Sequence, residues 1–102
     1  MALVHITKEN YEQEVLHCKQ TVLLDFYADW CGPCKMLAPV LEKLAQERED
    51  IKIGKINVDN DIQLAMDFKV SSIPLLVVMK EGQPVAKCLG AVPMEKILSM
   101  LD

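Results

Sequence analysis

The sequence predicts an α/β fold with a central mixed five-stranded sheet flanked by four helices, in the order β-α-β-α-β-α-β-β-α. Three observations predict it. Apolar runs that do not alternate, above all Val22-Leu23-Leu24-Asp25-Phe26-Tyr27, read as strands covered on both faces. Segments with apolar residues at helical spacing lie between these runs, which implies parallel strands joined by helical crossovers. The last two apolar runs are separated only by the short turn Lys80-Glu81-Gly82-Gln83, which implies an antiparallel hairpin.

In chain order, Leu3 to Ile6 is a short apolar run and a first strand. Asn10, with Gln13 three residues on, resembles a helix-start box. Tyr11, Val15 and Cys18 then recur at helical spacing, so a short helix is expected over about 11 to 18. Val22 to Tyr27 is the second strand. After it, Leu37, Val40, Leu41 and Leu44 form one apolar face, with Glu42, Lys43, Glu47 and Arg48 on the other. This amphipathic helix is expected to run to about Glu49, with a kink at Pro39, which lacks a backbone donor. Ile51 to Val58 is a third strand. A helix capped near Asp59 or Asn60 follows and carries Ile62, Ala65, Met66 and Phe68. Leu75 to Met79 and Val85 to Leu89 are the hairpin strands. Pro93 suits the first turn of a last helix with Met94, Ile97, Leu98 and Leu101 inward. The six methionines fall on core-like positions, as packing residues do. There is no internal repeat, linker or low-complexity segment.

A length of 102 residues suits one domain spanning 1–102. With 51% hydrophobic and 25% charged residues, the balance is that of a globular protein, not a disordered one. Eleven basic against fifteen acidic residues gives 11 − 15 = −4, with no Lys/Arg cluster, which argues against general nucleic-acid binding. No apolar run approaches the roughly 20 residues of a membrane span. The opening Met1-Ala2-Leu3-Val4-His5 lacks a basic region followed by a long apolar stretch, so no signal peptide is expected. A cytoplasmic monomer is the expectation. Four cysteines are too few for a disulfide-stapled mini-protein.

The chemistry concentrates in Trp30-Cys31-Gly32-Pro33-Cys34, a CxxC turn between a strand and a helix. Free backbone N–H groups and the positive end of the helix dipole point at the first cysteine. Both favour its thiolate, the attacking species. The second cysteine, one turn in, is placed to attack a mixed disulfide on the first. Gly32 and Pro33 bring no charge and no imidazole, which argues for a reductant. The rival reading is half of a structural zinc site. It would need a second ligand pair, and Cys18, Cys88, His5 and His17 do not form one. Cys18 shares a helix face with Tyr11 and Val15, as a buried small hydrophobe would. Cys88 lies on the last, edge strand, either as inert packing or as a regulatory thiol.

Asp25-Phe26-Tyr27-Ala28-Asp29-Trp30-Cys31-Gly32-Pro33-Cys34-Lys35 resembles the active-site segment of the thioredoxin family. Ile73-Pro74 before a strand, Gly82, Gly90 and Pro39 match the family as well, and the resemblance spans essentially the whole chain. It implies the thioredoxin fold and a protein-disulfide reductase working by dithiol–disulfide exchange. No cofactor is implied, because the cysteine pair carries both electrons. The implied partners are disulfide-containing client proteins and a flavin-containing, NADPH-dependent thioredoxin reductase.

The resemblance also implies roles. Cys31 would attack and Cys34 resolve, forming the redox disulfide. Asp25 would be a buried carboxylate behind Cys34, relaying a proton through water, with Lys55 near it. An acid inside Leu-Leu-Asp-Phe is costly to bury without a partner or a task, so a satisfied structural acid is the alternative. Lys55 alone reads equally as a surface charge at a strand end, and Trp30 as packing. On the family pattern Trp30, Gly32 and Pro33 would contact the client. The peptide bond before Pro74 would be cis, whereas sequence alone favours trans. The Ile73 backbone would pair with an extended client segment, and Gly90 and Ala91 would line the same shallow groove. Leu75 stands where many members carry Thr, Tyr27 where many carry Trp, and Ser71-Ser72 where a basic residue is frequent. These departures bear on client range. Two further readings are a dedicated reductant for one partner, to which Leu75 would be fitted, and a non-catalytic interaction module.

Overall fold

A computed structural model describes residues 3–102. Met1 and Ala2, counted above in the domain and in the reading of the N-terminus, lie outside the described residues. The strands are β1 (Leu3–His5), β2 (Thr21–Tyr27), β3 (Ile51–Asn57), β4 (Leu75–Lys80) and β5 (Gln83–Leu89). The helices are a π-helical segment (Glu12–Leu16), α1 (Gly32–Glu47), α2 (Ile62–Asp67) and α3 (Met94–Leu101). They form one five-stranded sheet in the order β1-β3-β2-β4-β5. β3 runs parallel to both β1 and β2, while β4 is antiparallel to β2 and β5. The expected α/β fold and element order are therefore present.

β2 sits centrally because its unbroken apolar run can be buried on both faces. Leu23, Ile53, Leu76 and Val78 meet Leu37, Leu41 and Leu44 of α1 and Ile97 and Leu101 of α3. On the opposite face Leu24, Phe26, Ile56 and Val77 pack with Ile6, Val15 and Leu64. Strand alternation places Asp25 on the α1 face, in line with Leu23. At the hairpin, Glu81 (φ 52°) and Gly82 (φ 77°) are both left-handed, the conformation of a two-residue turn matched to strand twist.

Several local expectations are corrected. The first helix is a five-residue π segment, closed by the His17 N–H donating to the Glu12 carbonyl at 2.9 Å. Asn10 does not cap it: its Oδ1 accepts from the Thr7 N–H at 2.7 Å and its Nδ2 donates to the His5 carbonyl at 2.9 Å. Cys18 is half-buried at the margin of the core rather than inside it. α1 stops at Glu47, where Arg48 turns away to Asp50 at 2.8 Å and Asp102 at 3.4 Å. Asn57, not Asp59 or Asn60, supplies the cap-like oxygen before α2, accepting from the Asp59 N–H at 2.9 Å and the Asn60 N–H at 3.3 Å. Asp61, the residue at the α2 N-cap, instead accepts from the Lys8 N–H at 2.8 Å. α2 turns Leu64 and Phe68 inward and leaves Ile62 and Met66 exposed. Met36 is exposed as well, so these two methionines are not core residues. β5 starts at Gln83 and carries Pro84 opposite a bulge at Val78/Met79, a place where a sheet edge tolerates proline.

Candidate active site

β2 ends at Tyr27, and the chain turns through Asp29 and Trp30 into α1, whose N-cap is Cys31. Cys31 has an extended backbone, and its Sγ accepts from the Cys34 N–H at 3.2 Å. The sulfur thus occupies the place that a Ser, Thr or Asp oxygen takes at an ordinary helix start. Pro33 contributes no N–H, so the Cys34 donor is directed at Cys31 without competition from that position. Cys31 and Cys34 are joined by a disulfide with Cα atoms 5.2 Å apart. Both are nearly buried, at 4% and 6% exposed, packed with Ala28 and flanked by Tyr27, Val58 and Ile73. Gly32 and Pro33 are exposed on the first turn.

The loop before β4 closes the other side. The Ile73–Pro74 peptide bond is cis, and the Ile73 carbonyl oxygen lies 3.9 Å from Cys31 Sγ. The Gly90 N–H donates to the Pro74 carbonyl at 2.9 Å, which ties the end of β5 to this loop. Ala91 is exposed one residue further on. Leu75 points into the core opposite Phe26 and Leu89.

Beneath α1, Asp25 is 1% exposed. Its register partner on β3 is Lys55, whose Nζ stands 4.0 Å from Asp25 Oδ2. Among the described residues Oδ1 has no hydrogen-bond partner. Burial pushes the carboxyl up to about 6, and the Lys55 charge opposes the rise only in part. The Lys55 ammonium also lies 4.5 Å from the centroid of the Tyr27 ring. A cleft of about 380 Å³, lined by Tyr27, Ala28, Cys34, Ala38 and Lys55 among others, opens this side of the site to solvent. Lys55 and the second cysteine therefore border one solvent-open space, and the buried Asp25 carboxylate lies behind it, 4.0 Å from the Lys55 ammonium.

The thioredoxin family model matches residues 2–102. The chain is 46% identical to the thioredoxin of Staphylococcus aureus over 103 residues, covering 100% of this chain and 97% of that protein. It is 46% identical to the thioredoxin of Mycobacterium tuberculosis over 91 residues, covering 88% and 78%. It is 42% identical to thioredoxin 1 of Synechococcus elongatus over 98 residues, covering 95% and 92%. The chain belongs to the thioredoxin family. It has the thioredoxin fold and is a thiol–disulfide oxidoreductase whose CxxC pair is Cys31 and Cys34.

Two residues beside this thioredoxin pair were not legible as site residues. Asp59 Oδ2 accepts a 2.8 Å hydrogen bond from Trp30 Nε1. Nothing in the sequence links positions 29 residues apart, and the acid reads as part of a turn. The sequence marks Tyr27 only as a replacement within the family pattern; strand alternation from Asp25 gives its face, and the structure adds its contact with Lys55. Among the described residues no group of three or more His, Cys, Asp or Glu is arranged to hold a metal ion. No helix among them is long and apolar enough to cross a membrane.

Proposed function

We propose that this thioredoxin-family protein works, as one domain over residues 1–102 and as a cytoplasmic monomer, to reduce disulfides of client proteins. The observation that carries this reading is the Cys31 sulfur at the N-cap of α1, accepting the Cys34 N–H. That donor and the helix dipole favour a sulfur anion at Cys31 over one at Cys34. In the reduced protein the Cys31 thiolate attacks one client sulfur, and the other client sulfur leaves as a thiolate that takes a proton. Cys34 loses its proton toward Asp25 through water in the cleft and attacks Cys31 Sγ. The client cysteine is released, and the Cys31–Cys34 disulfide forms. Lys55 tempers the Asp25 charge. Trp30, Gly32, Pro33, Gly90 and Ala91 contact the client around the disulfide, with the Ile73 backbone and Leu75 on the other side. A flavin-containing, NADPH-dependent thioredoxin reductase returns two electrons and two protons to the pair.

The test is insulin-disulfide reduction coupled to NADPH oxidation with candidate flavin reductases. The expected result is turnover with at least one of them and none for the Cys31→Ser/Cys34→Ser variant. An undiminished cellular function in that double variant would show an interaction module instead.

A further inference from the structure

The face of the sheet opposite α1 and α3 is only partly covered. The short helix α2 ends at Asp67, before it reaches the edge strand β5. Val85, Lys87 and Leu89 stand on that face, exposed, with Lys87 paired to Val77 and Leu89 to Leu75. A cleft of about 290 Å³ lies between the end of α2 and β5, lined by Phe68, Lys69, Ser71, Leu75, Lys87, Cys88 and Leu89. It contains two lysines and no carboxylate, on a chain of net charge −4. Lys69 and Lys87 are both exposed, and neither forms an ion pair among the described residues. Asp67 lines the adjoining cleft, which shares Phe68, Lys69, Leu75 and Lys87 with this one and runs on toward Pro84; its Oδ1 accepts from Gln63 Nε2 at 2.8 Å.

This cleft joins the redox site without a gap in the chain. Leu75 directly follows Pro74, and Leu89 directly precedes Gly90, whose N–H holds the Pro74 carbonyl. Ile73, on the other side of Pro74, faces the Cys31 sulfur. An extended chain advances ~3.3 Å per residue, so a client segment lying along Ile73 reaches the cleft within about two to four residues of its cysteine.

We infer that the cleft is a specificity pocket for an acidic residue of the client, two to four residues from the reacting cysteine. The aliphatic stem of a Glu lies on Leu75 and Phe68, and its carboxylate lies between Lys69 and Lys87. Positive charge that the Ser71-Ser72 positions lack is thus supplied from either wall of the cleft. The inference rests on the proposed client-reductase function and names the client class that the site prefers.

The experiment compares homodimeric disulfide peptides carrying Glu, or Gln in its place, at each of the four positions on either side of the cysteine. Initial rates are measured with the reduced full-length protein at low and high salt. The neutral disulfide of 2-mercaptoethanol serves as the reference substrate. The expected result is a kcat/KM about threefold or more higher for Glu at one or more positions, diminished by salt. The preference should disappear in Lys69→Gln/Lys87→Gln, while reduction of the neutral disulfide is unchanged. No Glu preference at any position, or one that survives in the double variant, overturns the inference and leaves the client-reductase function standing. Failure to reduce any peptide disulfide would overturn that function itself.

Discussion

The indole Nε1 of Trp30 donates a 2.8 Å hydrogen bond to Asp59 Oδ2 although the Trp30 residue is 70% exposed. A large apolar ring beside the disulfide is thereby held in place from the far end of β3. Asp59→Ala is expected to free the ring. Anisotropy decay of this single tryptophan should show faster local motion, and client reduction should slow by about three- to tenfold, the value of one hydrogen bond. Stability should change by no more than about 0.5 kcal/mol, because the site is exposed. Asp59→Asn, which keeps an acceptor, should restore most of the rate. Unchanged anisotropy in the alanine variant would show that the bond does not restrain Trp30.

Cys31 and Cys34 differ by only 4% against 6% in exposure, so accessibility does not separate their reactivities. Electrostatics does: the N-cap sulfur receives a backbone N–H and the sulfur one turn in does not. In the reduced native protein, brief iodoacetamide treatment at pH 7 should therefore label Cys31, roughly tenfold or more faster than Cys34, Cys18 or Cys88. Peptide mapping reads the result. Dominant label on Cys34 would exchange the two roles.

The order of elements and the redox turn were legible because they rest on short-range patterns. The unbroken run Val22 to Tyr27 is short and rich in strand-forming residues, as a doubly covered strand is, and Cys31 to Cys34 spans a single helical turn. What was not legible depends on partners distant in the chain. Asn10 has a helix-start sequence, yet the Thr7 N–H and the His5 carbonyl claim its side chain first. Ile62 and Met66 are spaced for burial, but Phe68 meets Phe26 at 5.1 Å and fixes the rotation of α2 with Leu64 inward. The pairing of Trp30 with Asp59 follows from packing alone. Pro74 was readable as cis only through the family resemblance.

Leu75 illustrates the same limit. Its position after Pro74 suggests a surface substitution that tunes client choice, with folding nearly indifferent to Leu75→Thr. In the structure it is 6% exposed and packs in the core beneath Phe68 and Phe26. Leu75→Thr therefore removes buried apolar surface and adds a hydroxyl, at a cost of about 1 to 3 kcal/mol. Because Leu75 also lines the cleft beside β5, client kcat/KM should change severalfold. Denaturant melts and steady-state kinetics on two clients separate the effects. A fully stable variant would mean that the side chain is not anchored in the core.

Gly54 on β3 has a packing reason. A Cβ there would stand 2.7 Å from Ile6 Cγ1 and 3.1 Å from Leu24 Cδ2, both in a buried layer. Both side chains are almost fully buried, so either must shift within a packed layer to make room. Gly54→Ala is expected to lower stability by about 1 to 3 kcal/mol through overpacking, despite alanine's easier backbone. The midpoint of urea unfolding should fall at constant slope. A neutral or stabilising change would show that Ile6 repacks freely.

Asp25 divides stability from function. Its carboxyl is raised from 3.8 to about 6, first by burial, with Lys55 opposing. A raised value in the folded state means that folding favours the protonated acid. The stability linked to this group is therefore fully present below about pH 3.8 and is lost as pH rises through about 6. Above that range the fold carries a buried charge at a penalty on the order of 1 to 3 kcal/mol, from roughly two pK units at 1.36 kcal/mol each. Asp25→Asn should raise stability at pH 7 by that amount and have little effect below pH 4. Denaturant midpoints of the oxidised form across pH 3 to 8 give the profile. In the same variant client reduction should slow tenfold or more at pH 7, because Cys34 loses the group that takes its proton. A variant that is less stable at pH 7 and equally fast would make Asp25 a structural acid, satisfied by Lys55, and would remove the proton relay from the mechanism.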